Sequence, residues 1–148
     1  GRRLARRFAR VRPAVNFLLD TNIVSELARV HPNADVLAWA GQVTTHGISV
    51  VTIEEICNGL AANPSRRIEA FMRAFFAGET CYPVTSDIAT RAGNLRGSFK
   101  RRGLVREQAD MLIASTAQAH GLTLVTRNVR DFDGCGIPLL NPFVPEES

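Results

Sequence analysis

"VNFLLDTNIVSEL", residues 15–27, decides how the rest of the chain is read. An almost unbroken apolar run from Val15 to Leu19 stops abruptly on Asp20, and the polar pair Thr21-Asn22 follows. The run reads as a buried strand and the segment after it as a helix. A carboxylate at the end of a buried strand is costly to desolvate, so something should compensate it. Where the other acids fall shows what that is.

Outward from this stretch, strand-like apolar runs recur at 16–19, 47–51, 81–84 and 122–125, with a weaker one at 137–140. Helical patterns lie between them, at 21–30, 34–42, 52–61, 65–76, 86–101 and 106–120. Ala109, Leu112, Ile113, Thr116 and Ala117 give the last of these the clearest stripe. Strands alternating with helices predict an α/β domain with a mostly parallel sheet of about five strands between helical layers. Right-handed crossovers then send every strand the same way, and the residues that follow each strand collect at one edge. Ligand sites in open α/β sheets form there.

The acids concentrate at that edge. Asp20 follows the first strand, and Glu54 and Glu55 follow the second, at the start of the helix expected from Thr52. Asp110 falls near the start of the helix expected from Arg106, and Asn128 and Asp131 follow the strand at 122–125. Like charges packed together raise one another's pKa unless a cation is present. At an effective dielectric of about 20, two charges about 4 Å apart interact by about 4 kcal/mol. A hard divalent ion with oxygen ligands reverses the sign of that interaction, which points to Mg²⁺ or Mn²⁺ and to phosphate-ester hydrolysis. Each acid also has a plainer explanation. Acids in a helix's first turn suit the macrodipole, and Asp20 could simply cap the helix after it. Glu55 lies off the apolar stripe of Ile53, Ile56, Cys57 and Leu60, so periodicity alone reads it as solvated and does not choose between it and Glu54.

Composition narrows the classes. A chain of 148 residues is most simply one domain, large enough for a core without disulfide staples. Cys57, Cys81 and Cys135 are odd in number and widely spaced, which suggests free thiols in a reducing cytoplasm rather than zinc ligands. His31, His46 and His120 lack ligand spacing, and His120 before Gly121 reads as a helix end. No apolar run approaches the roughly 20 residues needed to cross a bilayer, and no apolar segment of a secretory signal follows the early arginines. The net charge of +4 comes from residues 1–12, which hold six arginines and no acid; the remainder has 12 basic against 14 acidic residues. Residues 1–15 therefore read as a basic N-terminal arm, 16–143 as the single domain and 144–148 as a tail. Leu4, Phe8, Val11 and Val15 give the arm a helical stripe that would suit RNA or a partner. A disordered or non-native extension is the favoured reading of it, because charge runs are usually solvated tails.

The fragments "LLDTNIVSEL", "ISVVTIEEICNGL", "ADMLIASTAQAHGLTLVTRNVRDF" and "LLNPF" together resemble the PIN-domain family, most closely its VapC and FitB-type toxin ribonucleases. The resemblance spans Asn16 to Phe143 and implies a three-layer α/β/α sandwich. It also implies an endoribonuclease dependent on Mg²⁺ or Mn²⁺. A homodimer is implied too, cytoplasmic and held inactive by a small VapB-like antitoxin, with operator DNA contacted only through the antitoxin complex. By the same resemblance Asp20 is the first catalytic aspartate. Glu55 is selected over Glu54 because it stands three residues after Thr52, and Asp110 is the aspartate of "DMLIA". The metal set implied is Asp20, Glu55, Asp110 and Asn128, with Asp131 completing the catalytic acids.

At the fourth position the chain departs from the strictest family pattern, reading Thr126-Arg127-Asn128 where many members carry an aspartate. Asn128 offers an oxygen but no charge, and Asp131, three residues on, could compensate. Thr21, Asn22 and Thr126 suit supporting hydrogen bonds, and equally suit capping and turns. Arg91, Arg96, Lys100, Arg101, Arg102 and Arg106 form the domain's basic concentration and are the sequence's candidates for meeting RNA, although a solvated helix end is the favoured reading of any one of them. Two rivals stand beside this reading. One is a PIN-like binding module with little nuclease activity, which Asn128 leaves open. The other is an aspartyl-phosphate phosphatase, disfavoured because Asn22 stands where that chemistry wants a second acid.

Overall fold

A computed structural model describes residues 14–43 and 45–144. The expected arm, apart from its last two residues, and the tail beyond Val144 lie outside the described residues. Five strands, β1 Phe17–Leu19, β2 His46–Ser49, β3 Thr80–Tyr82, β4 Thr123–Val125 and β5 Leu139–Leu140, form one sheet in the order β3-β2-β1-β4-β5. All four pairings are parallel. Six helices connect them: α1 Thr21–Leu27, α2 Ala34–Gln42, α3 Val50–Ala62, α4 Arg66–Gly78, α5 Ser86–Arg101 and α6 Gln108–His120. This is the three-layer α/β/α sandwich expected from the sequence.

The layers follow from side-chain alternation along the two central strands. Leu18 and Leu124, paired in register, face one side and pack with Phe99, Met111, Ile113, Ala114 and Phe132. Leu19 and Val125, the next pair, face the other side and pack with Ile23, Val36, Ile48, Ile56 and Met72. Each such side chain, fully buried, contributes about 1.5–3 kcal/mol. Strand β3 packs so closely on β2 that a Cβ at Gly47 would stand 2.8 Å from both the Thr80 carbonyl oxygen and the Tyr82 ring. Gly121 ends α6 in the left-handed conformation (φ 65°), directly after His120, which occupies the helix end anticipated for it.

Local chemistry moved several boundaries. Helix α3 begins at Val50, two residues early, because the Ser49 side chain accepts from the Val51 N–H at 3.1 Å and caps the helix. That cap overrides the strand preference of the β-branched pair Val50-Val51. Glu55 consequently sits in the second turn. Helix α1 stops at Leu27 rather than Val30, and the carbonyl of Ala28 accepts from Arg67 Nη1 at 2.6 Å. Helix α6 starts at Gln108 rather than Arg106, and its buried face, Met111 and Ile113 through Ala117, is wider than the stripe predicted because it lies between the sheet and α5. Cys57, placed by periodicity among apolar neighbours, is exposed, and the three cysteines are free thiols. Among the described residues no helix is long and apolar enough to cross a membrane.

Candidate active site

In this strand order β1 is followed by connections to one side of the sheet and β4 to the other, so the carboxyl ends of β1 and β4 border a switch point. A cleft of about 540 Å³ opens there. Its walls include Asp20, Thr21, Asn22, Glu55, Asp110, Asn128 and Asp131, together with Ser25, Glu26 and Arg29. Segments more than 100 residues apart thus deliver the acids singled out from the sequence to one concavity.

Asp20 is the most buried of them, at 5% exposure. Its Oδ1 accepts from the Thr21 N–H at 2.8 Å, so it does cap α1. Its Oδ2 accepts from Thr126 Oγ1 at 2.8 Å and from Asn22 Nδ2 at 3.2 Å. Capping and site support are therefore one arrangement rather than alternatives. Burial raises the Asp20 pKa, the bonds from Thr126 and Thr21 pull it back, and the charges of Glu55 and Asp131 push it up again.

Thr21 joins the next acid to this one. Its hydroxyl donates to Glu55 Oε1 at 2.7 Å and stands 3.0 Å from the hydroxyl of the fully buried Thr52. Glu55 is half-buried and Glu54 is exposed, so the structure places the first in the cleft and leaves the second in solvent. Asp110, in the first turn of α6, is half-buried. Burial first, then the charges of Asp20, Asp131, Glu55 and Glu107, push its pKa to about 6.

After β4, Thr126 Oγ1 accepts from the Asn128 N–H at 3.0 Å, and Asn22 Oδ1 accepts from the Arg127 N–H at 3.2 Å. Asn128 and Asp131 are both exposed on the cleft rim, the second within a short 3₁₀ turn, Val129–Phe132. That turn is clamped from outside. Arg106 donates from Nη1 to the Arg130 carbonyl at 2.9 Å and from Nη2 to the Asp133 carbonyl at 3.0 Å, while its guanidinium lies 4.4 Å from the centre of the Phe99 ring.

The basic run at 91–106 is largely engaged in its own neighbourhood. Arg91 pairs with Asp87, Arg96 donates to the Arg106 carbonyl, and Arg102 stacks on Phe99. None of these residues lines the cleft; Arg29, which sequence reasoning did not single out, does. Its only sequence signal was its place three residues after Glu26 in the helix expected at 21–30.

Among the described residues, no three Asp, Glu, His or Cys side chains converge closely enough to hold an ion by themselves. The donor set nevertheless suits a hard cation that keeps waters and accepts phosphate oxygens, since Mg²⁺ is usually held by one or two carboxylates in that way. Burial does most to lift Asp110 to about 6, and the repulsion from Asp20, Asp131, Glu55 and Glu107 that adds to it marks a place where positive charge is favourable.

Known proteins resemble this chain in sequence and fold. The model of the PIN domain matches residues 17–134. VapC ribonuclease Y4jK of Sinorhizobium fredii is 35% identical over 138 residues, covering 86% of this chain and 98% of that protein. Toxin FitB of Neisseria gonorrhoeae is 32% identical over 136 residues, covering 85% and 97% respectively. The crystal structure of VapBC2 from Rickettsia felis, bound to a DNA fragment from its promoter, superimposes with a TM-score of 0.74 at 25% identity, over 86% of this chain and 98% of that one.

Proposed function

The chain belongs to the PIN-domain family, and we propose that it is the toxin of a toxin–antitoxin pair, a divalent-metal-dependent endoribonuclease that hydrolyses RNA phosphodiester bonds. The observation that carries this reading is the cleft itself, lined by Asp20, Glu55 and Asp110 at the switch point of the sheet with Asn128 and Asp131 on the rim. The likeness to VapC ribonuclease Y4jK and to toxin FitB supports the activity and the toxin role.

Asp20 and Asp110 would hold Mg²⁺ or Mn²⁺, with Glu55 and Asn128 as further oxygen donors. When bound, the ion lowers the pKa of a water and neutralises charge developing on the phosphoryl oxygens. The protein's own groups do the rest. Asp20 is prevented from turning by Thr126, Asn22 and the Thr21 amide. Glu55 is held through Oε1 by Thr21, which leaves Oε2 to orient the attacking water and accept its proton. The water oxygen bonds to phosphorus as the bond to the 3′-oxygen breaks, and that oxygen leaves as a hydroxyl by taking a proton from solvent. The products carry a 5′-phosphate and a 3′-hydroxyl. Asp131 adds to the negative potential of the cleft.

We further propose a homodimer that works in the cytoplasm and is silenced by a VapB-like antitoxin, with operator DNA reached only through that complex. The likeness to the promoter-bound VapBC2 structure supports the complex with a VapB-like partner and its contact with DNA. An antitoxin arginine seated among the carboxylates would supply the positive charge that the cleft lacks without ion.

The test is cleavage of total bacterial RNA by purified, partner-free protein in Mn²⁺, Mg²⁺ or EDTA, beside Asp20→Asn and Asp110→Asn. Metal-dependent cleavage absent from both variants is the expected result. Equal cleavage by all three proteins points to a contaminant. Absence of both cleavage and ion binding in well-folded protein overturns the reading.

A further inference from the structure

The cleft sets an electrostatic difficulty for the substrate proposed for it. Asp20, Glu55, Asp110, Asp131 and Glu26 all line it, whereas an RNA backbone carries a negative charge at every phosphate. Among the described residues lining it, Arg29 is the only cation.

Arg29 follows the end of α1, three residues beyond Glu26. Its Nη1 lies 3.4 and 3.3 Å from the two carboxylate oxygens of Glu26. The side chains differ sharply in exposure, 65% for Arg29 and 9% for Glu26. Glu26 is pinned on its other side, where Oε1 accepts the Asn33 N–H at 2.9 Å. Burial works against its charge, yet the Asn33 amide, the bond and charge of Arg29 and the charge of Arg127 keep its pKa below the ordinary value. Glu26 is thus a fixed, ionised anchor at the cleft wall. A guanidinium has five N–H donors in a planar fork, and among the described hydrogen bonds only Nη1 of Arg29 is engaged. The remaining donors stay in water at the rim of an acidic cleft. Because the Arg29 side chain is mostly in water, its pairing with Glu26 is screened and adds little to stability.

We propose that Arg29 is a substrate-binding residue, held at the cleft rim by Glu26, whose free guanidinium edge contacts a backbone phosphate of the bound RNA. This rests on the ribonuclease reading and gives the cleft what that reading leaves unsupplied, a cationic contact for the polyanion. The chemistry suits a phosphate oxygen pair, which accepts the fork in bidentate fashion.

The experiment uses the full chain, free of any partner, with the Asp110→Asn substitution so that RNA is bound and not cut. Fluorescence anisotropy with a short fluorescein-labelled single-stranded RNA is recorded over a range of salt concentrations, for this parent and for the parent carrying Arg29→Gln, Arg29→Lys or Arg73→Gln. Arg73→Gln removes the same charge from an exposed i,i+4 pair with Glu69 that does not line the cleft. Loss of one phosphate contact should weaken binding about tenfold. It should also make the slope of log affinity against log salt shallower by about 0.7. Arg29→Lys should keep the slope and recover part of the affinity, while Arg73→Gln matches the parent. If Arg29→Gln matches Arg73→Gln in both affinity and slope, Arg29 touches no phosphate and the proposal falls. Should the parent bind no RNA although its circular dichroism is that of folded protein, the proposal falls with it. Cleavage of total RNA by the unsubstituted chain then decides whether the ribonuclease reading falls too.

Discussion

Thr126 Oγ1 lies 2.8 Å from Asp20 Oδ2, and the two residues stand 106 positions apart on the neighbouring strand ends of β4 and β1. The bond ties the most buried acid of the cleft to a hydroxyl with no solvent exposure. It also connects the two halves of the sheet at the point where its connections diverge.

Replacing Thr126 by Val keeps the shape and removes the donor. A buried carboxylate left short of one charged hydrogen bond should cost about 1.5–3 kcal/mol, read as a lower urea midpoint. Mn²⁺ affinity should fall as well, because Asp20 loses the contact that fixes its orientation; isothermal titration calorimetry measures this. Unchanged stability and unchanged Mn²⁺ binding would show that the bond supports neither.

Asp110 should make the metal-free protein less stable as pH rises. Its folded pKa is raised to about 6 from 3.8, so the folded state favours the protonated acid. The contribution is fully favourable below about pH 4 and is lost as pH climbs through about 6. Asp110→Asn removes that loss. In EDTA the variant should therefore exceed the parent in stability by about 1 kcal/mol at pH 7.5, after allowance for solvent screening, with the gap narrowing toward pH 4. Urea unfolding at the two pH values measures it, and a less stable variant at pH 7.5 contradicts the assignment.

Ion binding should show the opposite face of the same chemistry. Saturating Mn²⁺, at about 100 times its dissociation constant, should stabilise the parent by about 2.7 kcal/mol in unfolding experiments. The stabilisation should shrink as pH falls through about 6, where Asp110 takes up its proton. Asp20→Asn should abolish most of it at every pH. Stabilisation of equal size in parent and variant would place the ion elsewhere.

Arg106 should matter through the turn that carries Asp131. Arg106→Met removes two bonds to main-chain carbonyls and the stacking on Phe99, at a cost of about 1–2 kcal/mol. Hydrogen exchange should accelerate locally across Val129–Phe132, with little change in β1 or β2. Lysine at this position keeps the charge and lacks the fork, so it should restore only part of the protection. Retention of full protection in Arg106→Met would show that the clamp is dispensable.

Much of this protein was legible in the order of its residues. Alternating apolar runs and helical stripes marked the α/β class. The register of Leu18 and Leu19 against Leu124 and Val125 realises that alternation on two faces of one sheet. Asp20, Asp110 and the pair Glu54-Glu55 could be placed at the cleft edge in advance because each sits just after a strand or near the start of a helix, positions that the handedness of parallel crossovers brings to one edge, and the resemblance to the PIN-domain family selected Glu55 from the pair. Local periodicity could not separate Glu55 from Glu54, nor a capping role of Asp20 from a site role, since both roles select the same residue types. The tertiary structure decided these points through contacts between distant segments: Thr21 on Glu55, Thr126 and Asn22 on Asp20, and Glu54 turned to solvent. Which arginines face the cleft was also settled only by packing. A run of charge records composition along the chain, whereas the direction of a guanidinium depends on the carbonyls, rings and carboxylates that folding brings beside it. Arg106 accordingly faces the backbone of a turn, and Arg29 lines the cleft with the acids.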